Sequence, residues 1–472
     1  MTPSACVKRM KSIEFKGCRI AVLGMARTGF AAAPVLKNLG ATVTLYDSAS
    51  AETLQEKLME AERMGIEAVP NATPEDLLHD ADIVVPSPGV IASSPFLQEA
   101  IKKGVPILSE IEVAYRISSS PILAVTGTNG KTTTTMLLGE MLQNHRGRTY
   151  VAGNISADEI KLPLISAAWE AESDDVIVAE ISSFQLEWVE KFRPKIGILT
   201  NITPDHLNRH ASFAEYISCK ARLFAAQEEE DVAVINAINA PARTIGEGAR
   251  AQTLWFDRRV GMRDNYACVE DGRIVVKWNG EEYPLCRPEE SPLQGTHNLE
   301  NILAASGAAI AFGADSEAIN QAIRSFQGAP HRMERVAEIN HVLYINNSMC
   351  TNVDAAVRCL EALDRPSVVI AGGVSKKSDF SRFGVMISRK AKALILIGRD
   401  ADEIENATRP NGFNAISRAQ SMEEAVSMAS EIATDGDVVI LSPACASFDM
   451  FPSFEERGAA FRNAVYRLTN RS

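Results

Sequence analysis

Short apolar runs alternate along the chain with stretches of helical hydrophobic spacing. In the first part of the chain, apolar runs at 19–23, 42–46, 82–85 and 106–108 predict strands, and residues 30–39 have the spacing of a helix. Strands that alternate with helices favour a parallel sheet covered by helices. The first segment is therefore predicted to be an α/β unit.

The same alternation continues to the end of the chain. Further strands are predicted at 122–125, 175–179, 196–199, 232–235, 342–345, 367–371, 393–397 and 438–441. Residues 254–285 are predicted to form short β pieces with turns at Asp271-Gly272 and Asn279-Gly280. Helices are predicted after residue 131, after the histidine at 206, and at 297–312, 354–363 and 422–433. The pattern predicts three consecutive α/β domains, with boundaries at 1–118, 119–327 and 328–472.

Length and composition agree with this organisation. A chain of 472 residues is long enough for about three domains. Its net charge of −12 argues against a nucleic-acid binder that works through a broad basic surface. We expect no membrane span, because no apolar run reaches about 18 residues. The eight cysteines form no C-x-x-C pair, and no signal peptide is evident, so we expect a cytoplasmic protein.

Residues 126–133, T-G-T-N-G-K-T-T, lie between a predicted strand and a predicted helix. In such a loop, glycines allow backbone N–H groups to surround a phosphate at a helix N-terminus. Lys131 would reach the β- and γ-phosphates, and the Thr132 hydroxyl would hold Mg²⁺. Val125 departs from the consensus, which has glycine there. A glycine-rich turn that merely begins a helix is the alternative, and the context favours nucleotide binding.

A second glycine-containing turn, residues 24–29, follows the first predicted strand. It resembles a dinucleotide fingerprint, but Ala26 replaces the central glycine. Asp47 follows at the distance where a ribose-binding acid belongs. The residues leave three alternatives open: a tight turn in a doubly wound sheet, an NAD site, and a site for a nucleotide-linked substrate.

Five blocks of the chain resemble motifs of the Mur ligases and of their relatives, the folylpolyglutamate synthetases. The blocks are 126–133, E-I-S-S-F-Q-L-E at 180–187, N-I-T-P-D-H-L at 201–207, Gly295-Thr296-His297-Asn298 with Asn301, and S-P-A-C-A-S to E-E-R-G at 442–458. The second and the last are most similar to the branch of the Mur ligases that adds D-glutamate. The blocks follow the family order over nearly the whole chain.

This resemblance implies three α/β domains: an N-terminal Rossmann-like domain for the UDP end of the substrate, a central P-loop ATPase-like domain and a C-terminal Rossmann-like domain for the amino acid. It implies an ATP-dependent ligase of cytoplasmic peptidoglycan precursor synthesis. ATP would phosphorylate the carboxylate of UDP-N-acetylmuramoyl-L-alanine, and the amine of D-glutamate would attack the acyl phosphate. The cofactors would be ATP and two Mg²⁺ ions. The protein would act as a monomer, without nucleic acid or membrane.

The resemblance also assigns roles to individual residues. The catalytic residues would be Lys131, Glu180, His206 and Lys220. One Mg²⁺ would lie at Thr132 and Glu180, and the other at His206 and at Lys220 in carbamylated form. The ATP contacts would be Gly127, Thr128, Asn129, Gly130, Lys131, Thr132, Thr133, Asn298, Asn301 and Arg332. The substrate contacts would be Thr28, Asp47, Gly89, Asn154 and Ser182, with Thr351, Lys376, Ser447 and Phe454 for D-glutamate.

Each metal-site residue also has an ordinary structural interpretation. Glu180 could be a helix N-cap acid. His206 could be a loop histidine that hydrogen-bonds the backbone, and Lys220 could be a solvated helix lysine. The intact blocks around these residues favour the functional interpretation.

One block departs from the family pattern. The family sequence N-D-S-K-A-T-N reads here as N-N-S-M-C-T-N at 346–352, so Asn347 replaces the acid and Met349 replaces the lysine. Asn347 can still hydrogen-bond a ribose, but Met349 cannot act as a cation. Lys376 or Lys377 is the alternative source of positive charge.

Other functions remain as alternatives at this point. A Mur-type ligase could add another amino acid, such as L-glutamate, and a folylpolyglutamate-synthetase-like ligase would share the central motifs. An NAD-dependent oxidoreductase would use Gly24 to Asp47, but it leaves Lys131 and Glu180 unexplained. A non-catalytic ATP-binding switch would explain Met349 but not the retained metal-site residues.

Overall fold

The structure is a computed structural model that describes residues 14–78, 81–143, 147–155, 162–207, 209–259, 263–293, 295–328, 331–375 and 378–469. Among these residues, those up to Phe326 form one compact unit and those from Gln327 onward form a second. The first unit contains two sheets, and the second contains one. The predicted three-domain α/β architecture is confirmed.

The first sheet is parallel, with the strand order β3-β2-β1-β4. Its strands are β1 (Arg19–Leu23), β2 (Thr42–Tyr46), β3 (Glu67–Val69) and β4 (Ile83–Pro86). The helices of this part are α1 (Arg27–Asn38), α2 (Gln55–Arg63), α3 (Pro74–Leu78), α4 (Pro95–Lys103) and α5 (Glu110–Ile117). The strand predicted at 106–108 is wrong: it is reduced to a single bridge between Ile107 and Val84. Pro106 has no N–H with which to extend the pairing.

The central sheet has the order β13-β12-β11-β10-β9-β8-β5-β7-β6 and is parallel from β6 to β11. Its strands are β5 (Ile122–Thr126), β6 (Thr149–Gly153), β7 (Val176–Glu180), β8 (Ile196–Leu199), β9 (Val232–Asn236), β10 (Gln252–Phe256), β11 (Tyr266–Glu270), β12 (Arg273–Trp278) and β13 (Glu281–Pro284). Its helices are α6 (Lys131–Met141), α7 (Leu164–Glu170), α8 (Phe213–Ala221), α9 (Ala240–Glu247), α10 (Thr296–Phe312) and α11 (Ser316–Ser325). The predicted turns join β11, β12 and β13, and their four residues all have positive φ.

The first two sheets belong to one unit because their helices share a core. Helix α5 packs against α7, and a single apolar cluster joins Leu36 and Ile111 to Ile165 and Phe192. The carboxylate of Glu112 accepts hydrogen bonds from the backbone N–H groups of residues 190–192. These contacts fix the first domain against the central one.

The second unit contains a sheet with the order β14-β15-β19-β16-β17-β18, in which only the β14–β15 pair is antiparallel. Its strands are β14 (Glu334–Ile339), β15 (Val342–Asn346), β16 (Ser367–Gly372), β17 (Ala391–Ile397), β18 (Ile416–Arg418) and β19 (Val438–Leu441). Its helices are α12 (Val353–Glu361), α13 (Ser381–Lys390), α14 (Ala401–Thr408), α15 (Met422–Ile432) and α16 (Phe454–Thr469). The neighbouring strands β15, β19 and β16 bring their carboxyl ends together. In the part of the chain that the structure describes, no helix is long and apolar enough to cross a membrane.

Candidate active site

The loop between β5 and α6 makes its turn with two glycines. Gly127 has φ 151° and Gly130 has φ 84°. A Cβ atom on Gly127 would lie 1.9 Å from Thr200 Oγ1, and one on Gly130 would lie 2.1 Å from Asn301 Oδ1. Val125, which occupies the first consensus position, is a buried residue of β5. The turn therefore begins after Thr126, and no glycine is required at 125.

We predict that Gly130→Ala abolishes tight ATP binding. The methyl group meets Asn301 and the backbone keeps a φ that alanine disfavours, so we expect about 1–3 kcal/mol of lost folding free energy as well. Gly280→Ala is the matched control, because Gly280 has φ 82° with open space around it. Calorimetric titration with ATP and thermal unfolding measure both effects. Equal ATP affinity in the two variants would contradict the prediction.

The first two side chains of α6, Lys131 and Thr132, belong to the candidate site. The Nζ of Lys131 donates hydrogen bonds to the carbonyl oxygens of Gly127 and Thr128, at 3.1 and 3.0 Å, so the ammonium lies over the loop. The Thr132 hydroxyl donates to Glu180 Oε2 at 2.7 Å. Glu180 is the last residue of β7, which is adjacent to β5 in the sheet. The parallel sheet thus brings the loop and the carboxylate together.

Lys220 lies behind the same loop. Its Nζ donates to the Gly127 carbonyl at 2.8 Å and to Thr126 Oγ1 at 3.4 Å. The residue is 1% exposed, and burial lowers the pKa of its amine well below the usual value, with Lys131 acting in the same direction. The interpretation of Lys220 as a solvated helix lysine is therefore wrong for this structure.

His206 is the most exposed of the four residues predicted to hold metal. Its ring packs edge-on against Phe184, with 4.9 Å between centroids, and its Nε2 lies 3.6 Å from Asp205 Oδ2. Its imidazole is about half exposed, at 48%. Burial lowers its pKa against the opposing effect of Asp205, and the ammonium groups of Lys131 and Lys220 lower it further. The neutral imidazole is the form that can act as a metal ligand.

Other predicted nucleotide residues surround the loop. Asn301 on α10 accepts from Thr134 Oγ1 at 3.4 Å and donates to Asn298 Oδ1 at 3.3 Å. Thr128 Oγ1 donates to the Thr203 carbonyl and lies 3.2 Å from the Tyr216 hydroxyl. The structure thus brings the predicted catalytic and nucleotide residues of the central domain to one edge of its sheet. Those residues are Gly127, Thr128, Asn129, Gly130, Lys131, Thr132, Thr133, Glu180, His206, Lys220, Asn298 and Asn301.

The donors at the loop fit Mg²⁺. The Thr132 hydroxyl and the Glu180 carboxylate lie within hydrogen-bond distance of each other, and oxygen ligands are those that Mg²⁺ prefers. No group of three or more His, Cys, Asp and Glu side chains poised for a metal occurs among the residues described. A site here therefore needs ligands of another kind, such as hydroxyl, phosphate or carbamate oxygens.

The first domain presents its own loops at the carboxyl ends of β1, β2 and β4. Gly24 has φ 99°, and helix α1 begins at Arg27, three residues before the predicted start. The Asp47 carboxylate accepts from the Met25 and Ala49 backbone N–H groups, so it holds the turn at 24–29. Thr28 lies in the first turn of α1 and Gly89 is exposed in the turn after β4.

Arg209 joins that turn to the central domain. Its guanidinium donates to the Pro88 and Val90 carbonyl oxygens at 2.6 and 3.0 Å and forms a bidentate ion pair with Glu187. It also lies 4.1 Å from the centre of the Phe184 ring. Sequence reasoning assigned Arg209 no role, although it lies three residues after His206.

Ser182 is partly buried and bonds the Gln185 side chain. Its N–H and its hydroxyl both donate to Gln185 Oε1, at 2.9 and 3.0 Å. Gln185 lines a small cavity together with Glu110, whose carboxylate accepts from the Ile165 N–H at 2.6 Å. Asn154 is exposed after β6, and its N–H donates to the Glu180 carbonyl. Sequence reasoning assigned Glu110 no role, because nothing in the sequence around residue 110 indicates that its carboxylate bonds Ile165.

The second unit holds the residues predicted for the amino acid. Ser447 is buried after β19, Thr351 is exposed before α12, and Phe454 begins α16 and packs edge-on against His331. Arg332 follows His331 and is partly buried. Lys376 and Lys377 lie outside the described residues.

Arg457 on α16 is a further residue that sequence reasoning did not assign, although it stands inside the last matched block. It is 1% exposed, and burial lowers its pKa to about 10. Its guanidinium donates to Ser348 Oγ and to the Ser348 and Cys445 carbonyl oxygens, at 2.9–3.0 Å. It also lies 3.5 Å from the Gly372 carbonyl. One cation thus holds the ends of β15, β19 and β16 together.

The block that departs from the family pattern, residues 346–352, begins at the carboxyl end of β15. Asn347 is buried and its Oδ1 accepts from the Met333 N–H at 3.2 Å. The Met349 N–H donates to the His331 carbonyl. The Asn347 side chain is therefore already hydrogen-bonded within the fold. Met349 takes part through its backbone N–H, and its side chain carries no charge.

Three family models match the chain in order. The Mur ligase MurD-like N-terminal domain covers residues 18–109, the Mur ligase middle domain covers 125–309, and the Mur ligase glutamate ligase domain covers 331–445.

Similar proteins extend over nearly the whole chain. The UDP-N-acetylmuramoylalanine--D-glutamate ligase of Pelotomaculum thermopropionicum is 43% identical over 96% of this chain and 99% of its own length. The protein of the same name from Caldanaerobacter subterraneus is 44% identical over 97% and 100%. The crystal structure of the UDP-N-acetylmuramate-alanine ligase of Thermotoga maritima matches with a TM-score of 0.58 at 19% identity, over 96% of this chain and all of that one. The last likeness shows the fold alone.

Proposed function

Because this chain belongs to the Mur ligase family, we propose that it adds D-glutamate to UDP-N-acetylmuramoyl-L-alanine with conversion of ATP to ADP and phosphate, in peptidoglycan precursor synthesis. The identity of 43% over 96% of the chain to ligases named for this reaction carries the proposal. The geometry at the loop of residues 126–131 supports it, because a lysine, a hydroxyl and a carboxylate converge where a nucleotide phosphate would bind.

In this reaction the γ-phosphoryl group passes to the terminal carboxylate of the substrate, and ADP leaves. The amine of D-glutamate then attacks the acyl phosphate, the amide bond forms and phosphate leaves. Phosphoryl transfer depends mostly on positioning and on neutralising charge. Lys131 would supply a cation at the loop, and the backbone N–H groups at the start of α6 would face the phosphates. Asn298, Asn301 and Arg332 are the further proposed ATP contacts.

Mg²⁺ is the proposed metal, with Thr132 and Glu180 at one site and His206 and Lys220 at the other. When bound, it would neutralise phosphate charge. Glu180 and Thr132 supply oxygen donors, and His206 supplies a neutral nitrogen. Lys220 suits this role only as a carbamate, in which its amine has combined with CO₂ and released a proton. Its burial beside neutral oxygens and its place in the family motif support this modification.

We assign the three domains to residues 1–118, 119–327 and 328–472. Thr28, Asp47, Gly89, Asn154 and Ser182 are the proposed contacts of the UDP substrate, with Asp47 acting mainly through the turn that it holds. Thr351, Lys376, Ser447 and Phe454 are those of D-glutamate. Lys376 or Lys377 is the proposed replacement for the family lysine missing at Met349.

The proposal also covers the setting in which the enzyme works. We propose a cytoplasmic monomer that needs neither nucleic acid nor a membrane. The seven cysteines in the described ranges are all free thiols, which is typical of a reducing compartment.

The test is an assay with UDP-N-acetylmuramoyl-L-alanine, ATP and Mg²⁺, with D-glutamate or L-glutamate as the amino acid. We expect phosphate release and a product heavier by one glutamate residue with the D-isomer only. Product with L-glutamate alone would favour a ligase of different specificity. Absence of product with either isomer would refute the proposed function.

A further inference from the structure

The turn after β4, residues 87–90, is bonded within the first domain to the turn that follows β1. The Ser87 hydroxyl donates to the Gly24 carbonyl at 3.2 Å, and a Cβ atom on Gly24 would lie 2.9 Å from Ser87 Oγ. The turn after β4 contains Gly89 and the turn after β1 contains Thr28, which are both proposed contacts of the UDP substrate. A displacement of one turn would therefore disturb the other.

Arg209 reaches the turn after β4 from the central domain. Its guanidinium donates to the carbonyl oxygens of Pro88 and Val90, at 2.6 and 3.0 Å, and we call these two hydrogen bonds the Arg209 bridge. The same guanidinium pairs with both carboxylate oxygens of Glu187, at 2.9 and 2.8 Å. The side chains of Arg209 and Glu187 are 9% and 13% exposed, so water and salt screen the pair little. The Glu187 carboxylate thus orients the guanidinium toward the first domain.

Arg209 is also packed against the segment that contains His206. Its guanidinium lies 4.1 Å from the centre of the Phe184 ring, and the His206 ring packs edge-on against the same ring. The Arg209 N–H donates to the His206 carbonyl at 2.9 Å. Arg209 therefore connects a residue proposed to hold metal with a turn proposed to hold the UDP substrate.

We propose that Arg209 is a positioning residue for the first step of the reaction: it holds the turn at 87–90 in a fixed place relative to His206. This inference rests on the proposed function for the identity of the substrate. Under that function, the first domain binds the UDP end, and the carboxylate at the other end of the substrate must reach ATP in the central domain. Loss of the Arg209 bridge would let the turn shift, so the carboxylate would be in line with the γ-phosphate less often.

Lysine at position 209 separates positioning from folding. It keeps the positive charge beside Glu187, so the carboxylate is not left without a cation. An ammonium group lacks the planar fork that reaches two carbonyl oxygens and a carboxylate together. Arg209→Lys should therefore fold while it weakens the Arg209 bridge. Arg222→Lys is the matched control, because the Arg222 guanidinium bonds the carbonyl oxygens of Leu186 and Glu187 within the central domain.

The first experiment measures ADP formed in a single turnover with ATP, Mg²⁺ and saturating UDP-N-acetylmuramoyl-L-alanine, without D-glutamate. This isolates phosphoryl transfer to the UDP substrate. In Arg209→Lys we expect the rate to fall about tenfold, since a small misplacement of reacting groups is costly. The Kd of a non-hydrolysable ATP analogue should change less than about twofold, and Arg222→Lys should match the wild type in both values. An unchanged rate in Arg209→Lys, or an equal loss of rate and of ATP affinity, would overturn the inference.

Amide hydrogen exchange tests the Arg209 bridge without any substrate. The Val90 N–H donates to the Ser87 carbonyl at 3.0 Å inside the turn. Its exchange should be about tenfold faster in Arg209→Lys than in the wild type, and unchanged in Arg222→Lys. Equal exchange in all three proteins would contradict the bridge. If exchange changes as expected but the wild-type protein forms no ADP with the UDP substrate, the proposed function fails, and with it the role in catalysis, while the contact between the domains stands.

Discussion

Replacing Lys131 with alanine is expected to lower the ligase rate about a thousandfold, the loss typical of removing a group that stabilises charge in a transition state. The ammonium lies 3.0–3.1 Å from two carbonyl oxygens of the loop, over the place proposed for the phosphates. Helix α6, residues 131–141, contains no second lysine or arginine that could replace it. Phosphate release under saturating substrates measures the effect.

The control for this variant is Lys191→Ala. Lys191 is in the same domain, and its side chain is 61% exposed in a surface ion pair with Glu14. Its replacement should leave the rate unchanged, because surface ion pairs contribute little. Retained activity in Lys131→Ala, with an unchanged Tm, would remove this lysine from the mechanism.

Replacing Lys220 with methionine is expected to lower the rate about 10²–10³-fold while the fold persists. Methionine keeps the length and volume of the buried chain but cannot form a carbamate. The lost hydrogen bond to Gly127 costs about 1 kcal/mol, so the Tm should change only slightly. Native mass spectrometry in bicarbonate buffer should find the mass of one CO₂ on the wild-type chain and none on the variant.

A second lysine serves as the control that distinguishes specific carbamylation of Lys220 from general reactivity of lysines with CO₂. Lys195 is partly exposed and pairs with Asp231, so it should remain unmodified under the same conditions. Peptide mapping at neutral pH locates the added mass. An unmodified Lys220 in bicarbonate, together with full activity of Lys220→Met, would exclude the carbamate.

Much of the fold could be predicted because buried parallel strands are continuous apolar runs. Strands β1, β2, β8 and β19 have the predicted bounds. The strands that were not predicted, β3, β6, β14 and β18, are edge strands of their sheets. Edge strands are partly exposed, so their sequences lack the apolar run that identifies a central strand. The position of an edge strand depends on the strand with which it pairs, and the hydrophobic periodicity of a sequence does not show which strands pair.

The candidate site divides in the same way. Lys131, Thr132 and Glu180 could be identified because their chemistry lies in short contiguous motifs. Glu110 and Arg209 could not, since each bonds a partner more than 50 residues away, Glu110 at Ile165 and Arg209 at Pro88. Their roles depend on how the first two domains pack. Lys220 is intermediate: its motif gave the position, and only burial shows that it is not a surface lysine.

Arg457 has an electrostatic consequence for the amino-acid domain. Its buried charge is bonded to a serine hydroxyl and to carbonyl oxygens, so these hydrogen bonds leave it un-neutralised at the carboxyl ends of three strands. The chain has a net charge of −12, yet folding of this domain places one buried guanidinium at this edge of the sheet, where the Asp449 carboxylate also acts on it. The proposed dicarboxylate substrate would meet there a guanidinium and backbone dipoles that need no rearrangement. Under the proposed function, selection for an acidic amino acid would begin in the core of the domain, before any surface side chain touches the ligand.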